Sequence, residues 1–218
     1  MRQGADGVPR QAAPDPQLIG RLEAARLYVI TPDAPSERVV ELAAAVVRGG
    51  ADVVQLRHKT LPRGQLLNLA RSLRDVVRDA LFVVNDFVDI ALLSGADGVH
   101  LGPDDISVAS ARKVAGDRLL IGVSASTVDA VQPGADYVGC GPAFATPVKP
   151  EKRVVGPQGI AALAAKVDIP VFAIGGIDET NVGQMVAVGV RRVCVIRAVG
   201  DAQDPEQATR RLHAMLVR

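Results

Sequence analysis

The sequence predicts a single α/β domain, a (β/α)8 TIM barrel, and three observations carry that prediction. Eight short runs rich in Val, Ile and Leu alternate with segments of helical spacing along a chain of 218 residues. Each run has the length and composition of a strand covered on both faces. No strand–GxGxxG–helix fingerprint accompanies them, which sets aside the open doubly wound sheet.

Residues 1–17 are rich in Gly, Pro, Gln and Ala without periodicity and read as a flexible tail, leaving 18–218 for the barrel. The predicted strands are Leu27–Thr31, Val53–Arg57, Leu81–Asn85, Gly98–Leu101, Leu119–Ser124, Tyr137–Cys140, Val171–Ile174 and Val193–Ile196. Helical spacing marks Arg38–Val47, Leu66–Val77, Pro157–Val167 and Pro205–Val217, the last with proline at a favourable first position. Glycine repeatedly precedes a strand, as in Gly49-Gly50-Ala51-Asp52, Gly95-Ala96-Asp97, Gly134-Ala135-Asp136 and Gly189-Val190. A helix C-cap followed by a tight turn explains the repeat. Only Thr127–Gln132 is available for a helix after Ser124, so one or two turns are expected there.

Composition narrows the function. Lys+Arg is 25 against 24 for Asp+Glu, so no basic nucleic-acid grip is expected. Aromatics are 3% and Trp is absent, which argues against a base-stacking platform. Apolar residues reach 48% without a run long enough to span a membrane, and no signal-peptide pattern opens the chain. Cys140 and Cys194, both within apolar runs, fit small core hydrophobes in a reduced cytoplasm rather than a disulfide or zinc site.

In such a barrel chemistry sits at the C-terminal ends of the strands. Strand two ends Gln55-Leu56-Arg57-His58-Lys59, and alternation sends Gln55, Arg57 and Lys59 towards the mouth and His58 outward. Uncompensated cations there would be costly, so an anionic ligand or nearby acids should complete them; a simple core salt bridge at Arg57 is the competing reading. Strands three and four end at Asn85-Asp86 and His100-Leu101-Gly102-Pro103-Asp104-Asp105, on neighbouring loops. Asp86 and Asp105 beside the basic set suggest a Mg²⁺–pyrophosphate site, with Asp104 as a helix cap. After strand five, Ser124, Ser126 and Thr127 either bind phosphate or cap the short helix. The loop after strand six is the longest irregular stretch and brings Thr146 and Lys149. Gly175-Gly176 and the amides around Ile196-Arg197 form a second anion site, with Asp178 as a cap. His100 reads as packed and hydrogen-bonded, His213 as surface. Two anion sites in one mouth suit two phosphorylated substrates.

Gln55-x-Arg57-x-Lys59, Asn85-Asp86, Ala96–Gly102 with Asp105, Gly122-x-Ser124, Gly134–Pro142, Thr146…Lys149 and Ile174–Ile177 together resemble the thiamine-phosphate synthase family, from about Leu27 onward. The resemblance implies a transferase that joins hydroxymethylpyrimidine diphosphate to hydroxyethylthiazole phosphate, releasing pyrophosphate through a pyrimidine carbocation. It implies one Mg²⁺ per site, held by Asp86 and Asp105. It assigns catalysis to Arg57, Lys59, Ser124 and Lys149. It places Gln55 and Ser124 against the pyrimidine, Arg57, Lys59, Asn85 and Lys149 on its diphosphate, and Thr146, Pro147, Val148, Gly176, Ile196 and Arg197 around the thiazole phosphate. Departures from the family pattern are Pro103 for glutamine, Ser126 for histidine, Val148 for threonine or serine, and Arg197 for serine. Partners are then small phosphorylated molecules, with no nucleic acid or membrane, and a homodimer is left open. Two alternatives stand beside this reading: a thiazole tautomerase-like isomerase, which would need neither diphosphate nor metal, and a non-catalytic phosphate-binding barrel.

Overall fold

The computed structural model describes residues 14–145 and 153–217. Eight parallel strands close into a barrel in strict chain order: β1 (Leu27–Ile30), β2 (Val53–Leu56), β3 (Leu81–Asn85), β4 (Gly98–Leu101), β5 (Leu120–Ser124), β6 (Tyr137–Cys140), β7 (Val171–Ile174) and β8 (Val193–Val195). Closure is made by β1 on β8, with Leu27, Tyr28 and Val29 opposite Val193, Cys194 and Val195. Around it lie α1 (Pro16–Ala24), α2 (Ser36–Arg48), α3 (Arg63–Val76), α4 (Val88–Ser94), α5 (Val108–Ala115), α6 (Gly156–Ala164), α7 (Val182–Ala187), α8 (Arg197–Gly200) and α9 (Pro205–Leu216). Between β5 and β6 a single 3-10 turn, Val128–Ala130, replaces a helix, as the short spacing predicts.

Strand alternation divides the core in two. Leu27, Val29, Val54, Leu56 and Val84 face the helices, where Val39, Leu42, Ala43 and Val46 form the buried stripe of α2. Tyr28, Ile30, Val53, Val83, Tyr137, Phe172 and Cys194 fill the interior. The rings of Tyr28, Tyr137 and Phe172 meet pairwise with centroids 5.4–6.0 Å apart, so the barrel is packed rather than hollow.

Helix α1 corrects the expected tail boundary. It begins at Pro16 because Asp15 accepts a hydrogen bond from the Gln17 amide at 2.8 Å and proline suits the first turn. Residues 1–13 of that stretch lie outside the described residues. Leu22 and Ala25 join the interior cluster beside Val53, Leu81 and Leu120, which open their strands. The start of the barrel is thereby covered, and the cavity lies at the opposite end.

The repeated Gly-Ala-Asp turns do more than end helices. Each aspartate reaches back to the start of the preceding strand. Asp52 accepts from the amides of Arg26 and Leu27, Asp97 from Phe82, and Asp136 from Ile121. A helix side chain completes two of these sites: Arg74 to Asp97 at 2.9 Å and Arg112 to Asp136 at 2.8 Å. At the first, His213 lies 3.6 Å from Asp52, so it is half-buried against this turn rather than a surface residue. In the fourth unit Arg192 stands before β8 instead.

Two expected caps are displaced. Ser107, not Asp104, caps α5, accepting from the Ser110 amide at 3.2 Å, because the chain runs on after β4 before turning helical. Asp178 accepts from the Thr180 amide and hydroxyl in a turn ahead of α7, whose cap position is Asn181. Helix α6 ends at Ala164, short of the expected Val167.

The Arg112–Asp136 pair is nearly water-free, with side chains 7% and 11% exposed. Asp136→Ala is expected to cost about 3 kcal/mol in urea unfolding, because it strands a buried guanidinium. Breaking the exposed Arg48–Glu206 pair with Glu206→Gln should leave the urea midpoint nearly unchanged in the same measurement.

Candidate active site

The open end of the barrel holds a cavity of about 1100 Å³. Each strand end delivers residues to it. Gln55, Arg57, Asn85, Ser124, Gly176, Ile196 and Arg197, all predicted from sequence, line its wall. Lys59, Asp86 and Asp105 are not in that wall; they form a separate cluster on the adjoining loops. Thr146, Pro147, Val148 and Lys149 lie outside the described residues.

Asp86 follows β3 with φ of 67°, a left-handed conformation that aspartate tolerates better than most residues. Its amide donates to the His100 carbonyl at 2.8 Å, which fixes the turn. Its carboxylate takes the Lys59 ammonium at 2.5 Å. Asp105 reaches the same place from the loop after β4, where its Oδ2 accepts from the Gly102 amide at 2.7 Å. Burial, and then the neighbouring Asp86 carboxylate, hold Asp105 above its ordinary range, against the Gly102 amide and Lys59. Two acids from separate strands are thus pressed together beside one cation.

The basic side is organised by Asp33, which the sequence reading missed. Asp33 lies beyond β1, accepts from the Lys59 amide at 2.8 Å and stands 3.5 Å from the Arg57 guanidinium. Arg57 therefore has an acidic partner, but at the half-exposed mouth rather than in the core. His58 points away from the cavity, as alternation predicts, yet its side chain is only 7% exposed. The Leu61 amide donates to its Nδ1, which leaves Nε2 to donate to the Ala34 carbonyl, so the ring ties the loops after β1 and β2 together. No local pattern marks Asp33; only the closure of β1 against β2 brings it to Arg57.

On the opposite wall Gly175 and Gly176 have φ of 99° and 67°. A Cβ on Gly176 would lie 2.7 Å from the Ala145 carbonyl oxygen, so glycine is required by both conformation and space. Arg197 opens α8 and pairs with Asp201 at 2.8 Å on an exposed surface. His100 is packed as expected, half-buried, with Nε2 3.0 Å from the Ser124 hydroxyl. Both cysteines are buried, and burial pushes the Cys140 thiol up to about 11. Among the described residues no cluster of three or more His, Cys, Asp or Glu side chains occurs, and no helix is long and apolar enough to cross a membrane.

Comparison with known proteins gives a consistent result. The thiamine monophosphate synthase family model matches residues 27–199. A thiamine-phosphate synthase of Gloeobacter violaceus is 45% identical over 195 residues, covering 87% of this chain and 57% of that protein. One from Chlorobium luteolum is 43% identical over 197 residues, covering 87% and 92%. A solved thiamine phosphate pyrophosphorylase from Pyrococcus furiosus superposes with a TM-score of 0.81 at 37% identity, covering 91% of this chain and 97% of that one. The chain spans 56–60% of the length of the first four curated relatives it matches.

Arg57, Arg153 and Arg197 bring three guanidinium groups to the wall of this cavity. Inorganic pyrophosphate is expected to bind, and Arg57→Ala to weaken it about tenfold or more in titration calorimetry, the scale of a lost charge-assisted hydrogen bond. Equal affinity in the variant would remove Arg57 from the anion site.

Proposed function

The chain belongs to the thiamine monophosphate synthase family, and on that premise we propose that it joins hydroxymethylpyrimidine diphosphate to hydroxyethylthiazole phosphate, yielding thiamine phosphate and pyrophosphate. The observation that carries this reading is the meeting of Lys59, Asp86 and Asp105 beside a cavity that also presents Gln55, Arg57 and Ser124. The cationic side suits a leaving diphosphate. The wall of Gly176, Ile196 and Arg197 suits the phosphate of the second substrate.

The residues present fit Mg²⁺. Two hard oxygen donors converge, burial and the neighbouring Asp86 carboxylate raise the Asp105 carboxyl despite Lys59, and a pair of carboxylates leaves coordination positions for water and diphosphate oxygens. Asp86 and Asp105 would hold the ion, which when bound neutralises charge on the diphosphate. The chain's own groups do the rest. Gln55 and Ser124 orient the pyrimidine, and Arg57, Lys59, Asn85 and Lys149 hold the diphosphate. The bond from the pyrimidine methylene carbon to the diphosphate oxygen breaks, and its electron pair leaves with the diphosphate. The carbocation is then captured by the thiazole nitrogen lone pair, forming the new C–N bond. Charge develops on the leaving group, so preorganised cations lower the barrier and no strong general base is required. Gly176, Ile196 and Arg197 receive the thiazole phosphate, and the family resemblance assigns Thr146, Pro147 and Val148 to the same substrate. The buried thiols suit the cytoplasm, where they stay reduced.

Incubation with both substrates and Mg²⁺ tests the proposal. Thiamine phosphate and pyrophosphate should appear in equal amounts, and chelation should stop turnover. Asp86→Ala should lower the rate about a hundredfold, the scale of one lost transition-state electrostatic contact. Turnover that needs neither diphosphate nor metal would favour the isomerase.

Asp105 also gives a signed expectation for stability. Its carboxyl is raised in the folded protein, so the folded state holds this proton more tightly than the unfolded chain, and ionising it as pH climbs costs stability. Magnesium should therefore raise the Tm of the native protein at pH 7.5 in differential scanning fluorimetry. Asp105→Asn should start at an equal or higher Tm and gain little from the ion.

A further inference from the structure

Beneath the mouth, a chain of hydrogen bonds crosses the interior between two cavity-lining residues. Gln55 Nε2 donates to the Tyr28 hydroxyl at 2.8 Å. The Tyr28 and Tyr137 hydroxyls are 3.0 Å apart. Tyr137 Oη lies 3.3 Å from His100 Nδ1, and His100 Nε2 lies 3.0 Å from Ser124 Oγ. The members come from β2, β1, β6, β4 and β5, so the chain spans the barrel. Both ends line the cavity, while the tyrosines are 2% and 1% exposed. The space is reserved for it: a Cβ on Gly122 would lie 2.0 Å from Tyr137 Cζ, and one on Gly139 would lie 3.3 Å from His100 Cε1.

The order of donors follows from proton count. Burial raises both phenols, so each keeps a single proton. Tyr28 accepts from Gln55 and donates to Tyr137. Tyr137 then donates to His100 Nδ1. A neutral His100 that accepts at Nδ1 carries its proton on Nε2, where Ser124 Oγ is the acceptor 3.0 Å away. The Ser124 proton is turned to the cavity, and Gln55 offers its Oε1.

We propose that Tyr28, Tyr137 and His100 are positioning residues that fix the hydrogen-bond polarity of Gln55 and Ser124. The mouth thereby presents an acceptor on one side and a donor on the other. This selects a ring with an exocyclic amino group and a ring-nitrogen acceptor over its oxo analogue. The proposal deepens the reading above and rests on it for the pyrimidine substrate, but the polarity itself is testable without substrate.

The first test is ¹⁵N NMR of the histidine side chains of the ligand-free protein at pH 8, with His100 assigned through His100→Asn. The expected result is a single Nε2–H tautomer in the native protein and a mixture in Tyr137→Phe, which keeps the ring and deletes the hydroxyl. Tyr28→Phe leaves Tyr137 its proton with His100 Nδ1 as the acceptor, and should keep the Nε2–H tautomer. An Nδ1–H tautomer in the native protein, or a tautomer unchanged in Tyr137→Phe, overturns the proposal. The second test compares the aminopyrimidine diphosphate with its oxo analogue. The native protein should prefer the amino compound about a hundredfold or more in kcat/KM, and Tyr137→Phe about tenfold or less, with KM for the thiazole phosphate unchanged. Undiminished discrimination in Tyr137→Phe also overturns it. Expected tautomers with no turnover of either pyrimidine would instead sink the synthase reading and leave the polar chain standing.

Discussion

Closure of the sheet governs everything else in this molecule. Once β1 pairs with β8, every strand points the same way and every C-terminal end arrives at one rim. Helix α1 seals the other end with Leu22 and Ala25, and the Tyr28, Tyr137 and Phe172 rings fill the middle. Polar side chains at strand ends then have one place where water or a ligand can satisfy them. A site assembled from separate strands is the consequence.

Two electrostatic designs share this frame. At the sealed end, aspartates before alternate strands accept backbone amides, and at two of them an arginine completes the site. At the open end the matching is incomplete. Asp105 and Asp86 repel one another beside a single ammonium, while Arg57 is shared with Asp33. Burial and a like charge held this close raise the Asp105 carboxyl, whereas the sealed end sets its aspartates against backbone donors.

Much of the cavity wall was legible because its residues occupy or follow strand ends. Gln55, Asn85, Ser124 and Ile196 each occupy or adjoin a strand end, so counting outward from an apolar run is enough. Asp86 and Asp105 could be paired because neighbouring strands in a sequential barrel have neighbouring loops. The cap at Ser107 and the start of α1 at Pro16 escaped, because the chain continues irregularly after β4 and a Gly/Pro-rich stretch hides one good capping aspartate. Asp33 escaped for another reason: its role is defined entirely by what lies across from it.

The sequence alone determined the strand count, their order and the polar residues each strand carries to its end, since apolar periodicity and turn residues are local properties of the chain. Tertiary structure decided which of those residues touch. The Gln55–Tyr28–Tyr137–His100–Ser124 chain joins five strands through the barrel interior, and the glycine at 122 has meaning only as the space the Tyr137 ring occupies. Hydrogen-bond direction and charge pairing depend on distances of a few ångströms between remote segments, and closure of the barrel fixes those distances.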